Sequence, residues 1–161
     1  MANARAFLLS ATRDLTPERL DAKRRGPRNT LAQIVQHGIA AEVMMRAITL
    51  HGRRLDDAEQ TRWCAAFAFQ PSDFTQAVPW PPTLTTWPPR SETLAGMRER
   101  EDAWLDEPKT FAGHPANTRH YWRRLLLDQA RRTGQIILIR KDPIDEAEPE
   151  FHPYRFPKDP D

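Results

Sequence analysis

Leu31, Ile34, Val35, Ile39, Val43, Met44, Ala47 and Ile48 recur mostly at three- and four-residue spacing, and the run stops at Gly52. That period lines one face of an α-helix, so a core helix is predicted over about 30–51, capped by Asn29 or Thr30. Shorter signals flank it. Thr16-Pro17-Glu18 supplies a cap, a proline at the first helical position and an acid in the first turn. The helix it opens ends at Lys23-Arg24-Arg25, before Gly26-Pro27. Asp56-Asp57 caps a third helix that carries Trp63, Phe67 and Phe69 and ends at Pro71. Ser91 begins a fourth, through Met97, Trp104 and Leu105. Asn117 caps a fifth, which runs to about Arg132 with Gly134 as its stop. Gln135 to Arg140, rich in β-branched residues, reads as a strand. Its partner would be Phe7-Leu8-Leu9, residues near Phe151, or another chain.

Two stretches break the helical pattern. Trp80-Pro81-Pro82 and Trp87-Pro88-Pro89 repeat a tripeptide within an extended loop, 77–90, where proline removes backbone donors and fixes φ. After Pro143 the chain is acidic and studded with proline, so 142–161 is expected to be a tail, partly docked through Phe151, Tyr154 and Phe156 or disordered. The fold expected is mainly α: one helical domain over 1–141 of about five helices, the Pro/Trp-rich loop, and a minor β element near 135–140.

Composition adds limits. A chain of 161 residues can bury a core without cross-links. Cys64 is the only cysteine, which excludes an internal disulfide; its apolar neighbours Trp63, Ala65, Ala66 and Phe67 predict burial. Asp14 and Arg13 close the apolar run at Ala6–Leu9, too short for a signal segment or a membrane span, and a cytoplasmic location is the expectation.

Charge changes the picture more. The net +2 hides alternating blocks: residues 1–54 hold ten Lys/Arg against four Asp/Glu, and 55–109 hold five against ten. Residues 110–141 then hold seven against one, and 142–161 two against seven. Lys23, Arg24, Arg25 and Arg28 form one basic group; Arg119, Arg123, Arg124, Arg131 and Arg132 line the 118–132 helix. Guanidiniums suit phosphates and carboxylates alike, so these residues are candidates for contact with nucleic acid or with an acidic partner. Acidic segments of the same chain, or of a partner protein, could answer them instead, and the alternation of the blocks favours that pairing. Trp80 and Trp87 are candidate protein-binding anchors, because tryptophan dominates interface hot spots.

Other chemistry is not supported. A helix-turn-helix with its turn at Gly38-Ile39 conflicts with the unbroken period through Gly38. His37, His51, His114, His120 and His152 follow no metal-ligand spacing, and no phosphate-binding glycine loop or nucleophile motif occurs. The sequence therefore predicts no enzyme, cofactor, metal, membrane or small-molecule substrate. It points to a non-enzymatic accessory protein in a protein or nucleoprotein complex, as a small subunit or as a phage- or mobile-element-type inhibitor of a host complex. The alternative is a nucleic-acid-binding protein that meets backbone phosphates through the 118–132 helix and the 23–28 loop.

Overall fold

A computed structural model describes residues 2–12, 15–16, 19–20, 22, 29–68, 89–111 and 113–141. The basic group Lys23, Arg24, Arg25 and Arg28, Phe69, both anchor residues Trp80 and Trp87, and the 142–161 tail lie outside the described residues. The elements are α1 (Ala2–Ala11), α2 (Leu31–Thr49), α3 (Asp57–Ala68), α4 (Arg90–Arg98), α5 (Ala103–Asp106), β1 (Pro108–Phe111), β2 (His114–Asn117) and α6 (Thr118–Lys141). The chain is mainly helical, as its periodicity predicts.

α2 starts where a capping box is encoded. Thr30 Oγ1 accepts from the Gln33 backbone N–H at 3.2 Å, and the Thr30 N–H donates back to Gln33 Oε1 at 2.8 Å. Gly52, with φ of 63°, follows the last turn and lets the Arg53 N–H return to the Ala47 carbonyl at 2.9 Å. Thirteen of the nineteen α2 residues are buried, which makes it the central helix. Gly38 lies within it, so no helix-turn-helix forms there. A Cβ at Gly38 would stand 3.3 Å from Leu8 Cδ2, the mark of a close approach by α1.

Two apolar clusters lie along α2. Ile34, Val35 and Ile39 of its first half meet Leu8 of α1, Trp63 and Ala66 of α3, and Ile136 and Ile139 of α6. Met44, Met45 and Leu50, toward its C-terminal end, meet Trp104 of α5 and Tyr121, Trp122 and Leu125 of α6. The start of α2 therefore faces the end of α6, and the two helices run antiparallel. Each half of the core buries aromatic and branched side chains worth about 1.5–3 kcal/mol apiece against exposure.

The expected strand at 135–140 is instead the last turns of α6. Buried Thr118, Tyr121, Trp122, Leu125, Gln129, Arg132, Ile136 and Ile139 keep helical spacing across the whole element. Gly134 does not end it, because its side-chain position faces open space and glycine costs an exposed helix only about 1 kcal/mol. Phe7-Leu8-Leu9, offered as that strand's partner, belongs to α1. The fourth predicted helix is divided, with Glu99 closing α4 and α5 resuming at Ala103.

The β element lies elsewhere, as an antiparallel hairpin pairing Pro108 with Asn117 and Phe111 with His114. Gly113, at φ of 80°, makes its turn. Prolines are tolerated in both strands because a two-stranded ribbon has open edges. Cys64, expected to be buried, is exposed; α3 turns Trp63 and Ala66 inward and Cys64 about 100° away from Trp63.

Candidate functional site

Asn117 Oδ1 accepts from the His120 backbone N–H at 2.9 Å and so caps the helix that carries most candidate residues. With 24 residues α6 is about 36 Å long. Its inner face builds the core, and its cations meet different fates.

Arg132 is buried and does not present its charge outward. Its guanidinium bridges Asp128 at 3.3 Å and donates to Gln135 Oε1 at 3.0 Å, with burial the main influence lowering its pKa. Arg131 is exposed and holds Asp128 at 2.9 Å. Arg119 pairs with Asp106 of α5 at 3.3 Å, an exposed bridge worth about 0–1 kcal/mol. Arg140 donates to the Ala11 carbonyl at 2.7 Å, placing a cation on the C-terminus of α1. Arg123 and Arg124 are exposed and form no ion pair among the described residues. Much of the basic helix is thus answered within the molecule.

Asp128 is the hub of this network. Its carboxylate lies 3.5 Å from His37 Nε2 of α2, and the other ring nitrogen, Nδ1, lies 3.1 Å from the Ala66 carbonyl of α3. Both ring nitrogens therefore face oxygen atoms. Burial alone would push the Asp128 carboxyl up. The hydrogen bond from His37, the charges of Arg132 and His37, and the hydrogen bond from Arg131 outweigh it and hold the group well below the usual carboxylate range.

Beside the hub a cleft of about 630 Å³ opens between α2 and α6. Met44, Met45 and Leu125 contribute apolar surface, Phe67 contributes from α3, and Arg124, Arg131 and His114 lie around it with the hub. A smaller hollow of about 470 Å³ lies between α2 and α3. Its Arg53 is held by Glu59 at 2.6 Å, and its Arg46 by Glu92 at 3.0 Å. Accepting from Arg53 lowers the Glu59 carboxyl to about 2.

Along the outside of α6, Leu127, Gly134 and Leu138 follow one line at seven- and four-residue spacing. Leu127 is 63% exposed and Leu138 66%, with Ile137 beside them at 43%. Every fully exposed charged residue of α6 is a cation. The arginines are visible in the sequence but this line is not, because the strand expected at 135–140 separates Leu138 from the helix that carries Leu127.

Among the described residues no group of three or more His, Cys, Asp or Glu side chains could hold a metal ion, and no helix is long and apolar enough to cross a membrane. No protein-family model matches the chain, and a search of curated proteins finds no match.

Proposed function

We propose that this is a non-enzymatic accessory protein that binds another protein, within a protein or nucleoprotein assembly, through the outward face of α6. The observation that carries the reading is that face itself. Leu127, Ile137 and Leu138 stand exposed among cations, with no fully exposed carboxylate on the same helix. An exposed apolar line rimmed by one sign of charge suits a partner with apolar anchors and carboxylates. A small subunit would use such a face permanently, and an inhibitor would use it to cover a surface on a host complex.

Nucleic acid is the second reading, and the exposed, unbridged Arg123 and Arg124 favour it. Phosphates would engage the guanidiniums but leave Leu127 and Leu138 without an apolar counterpart. With Lys141 as a third contact, the logarithm of affinity would fall against that of salt with a slope of about −3.

The test is affinity capture from the native host with the wild type, Arg123→Glu and Leu138→Glu, each with and without nuclease. The protein reading expects a partner that survives nuclease and is lost from both variants. Capture abolished by nuclease, or insensitive to Leu138→Glu, would overturn it.

A further inference from the structure

The cleft between α2 and α6 has a chemistry that the outward face lacks. Its apolar side is formed by Met44, Met45 and Leu125, with Leu127 shared between the cleft and the outward face, and the thioethers are unbranched and polarisable, so they adapt to an inserted ring and make favourable sulfur–aromatic contacts. Three guanidiniums, of Arg124, Arg131 and Arg132, line it against the single carboxylate of Asp128. That carboxylate is already engaged by Arg131, Arg132 and His37, and its side chain is only 20% exposed, so it offers little repulsion to an incoming anion. Arg124 has no ion pair among the described residues and remains to receive one.

We propose that the cleft receives one aromatic side chain of the partner protein, with acidic residues flanking it in the partner sequence. The inference rests on the protein-binding reading above and makes the cleft its specificity pocket. The ring enters over Met44, Met45 and Leu125, while the flanking carboxylates meet Arg124 and Arg131. A volume of about 630 Å³ lies within the range of sites that bury a small ligand, ample for a ring and part of its neighbours. A nucleobase fits the site less well. Tyr121 lines the cleft with its hydroxyl tied to the His114 carbonyl at 2.7 Å, and the floor is otherwise mainly thioether and leucine, not the succession of aromatic platforms that single-strand binders use.

The experiment uses the full chain with methyl-labelled methionines, observed by NMR. The probe is the capped peptide Asp-Glu-Phe-Glu-Asp. Comparison peptides carry alanine in place of phenylalanine, or lysine in place of every acid, and an oligothymidylate tests nucleic acid. Saturable shifts of the Met44 and Met45 methyls with the first peptide alone are expected, together with affinity weakened about tenfold in Arg124→Glu. Methyls that stay unmoved, or that respond equally to the alanine or lysine peptides, overturn the proposal. So does a response to oligothymidylate in place of the peptide. Leu138 and Arg123 do not line the cleft, so the capture experiment with their variants fails or succeeds independently of this one.

Discussion

Glu42 of α2 joins three helices through one carboxylate. Arg5 of α1 reaches it at 3.4 Å and the Thr93 hydroxyl of α4 donates to it at 3.3 Å, with the Glu42 side chain only 3% exposed. Removing one partner of a buried ion pair takes away the charge that compensates the other, so Glu42→Ala is expected to lower unfolding stability in urea by about 3–5 kcal/mol. The double variant Arg5→Met, Glu42→Met should lose much less. Equal losses would mean that packing, not charge, holds this junction. Asp128 gives a pH dependence. Its pKa is depressed on folding, so its contribution is present above the unfolded value of about 4 and lost as pH falls through the folded one. The thermal midpoint should therefore fall below about pH 4, and Asp128→Asn should fall less steeply there. Identical slopes would assign the acid limb to other carboxylates. Cys64, exposed on α3, should react with a thiol reagent at the same rate in native and urea-unfolded protein, whereas a much slower native reaction would place it inside. The caps at Thr30 and Asn117 were legible because capping is local. The Arg5–Glu42 pair, 37 residues apart, was not, since nothing near either residue names the other.

Helix boundaries were legible where a chemical stop coincided with the loss of period, as at Gly52, and misread where only one was present. At Gly134 the composition suggested a stop and a strand, yet Arg132, Ile136 and Ile139 continue the inward stripe of Tyr121, Leu125 and Gln129. Tertiary burial against α1 and α2 overrode the β preference of the isoleucines. Because the Gly134 position is helical and open, Gly134→Ala should raise stability by about 0.5–1 kcal/mol in chemical denaturation. A loss would mean that the helix does not run through this point. The outward leucines follow from the same geometry: once 135–140 is helical, Leu138 falls on the line of Leu127.

For the molecule as a whole, the alternation of charge was plain in the sequence, but its meaning depends on distances that only the fold supplies. Arg46 and Arg119 of the basic blocks reach Glu92 and Asp106 of the acidic one, so part of the pattern is internal matching. The two apolar clusters share α2 and α6, and Phe67 packs against both. They should open together. Amide hydrogen exchange near Ile34–Ile39 and near Met44–Met45 is expected to report one common opening free energy, and clearly different values would divide the core into separate units. The candidate site was half legible: the arginines were visible, but the cleft needs α2 and α6 side by side.

That shared dependence on α6 has a consequence for biosynthesis. Ile136 and Ile139 complete one cluster, and Tyr121, Trp122 and Leu125 the other, yet all five come from the final described element. While the ribosome is still translating residues 1–117, α2 has no α6 to cover it, and Ile34, Ile39 and Met44 remain available to chaperones or to other chains. The core described above must therefore wait for α6 to be made before it can close. The helix proposed to greet its partner is also the one that ends that wait.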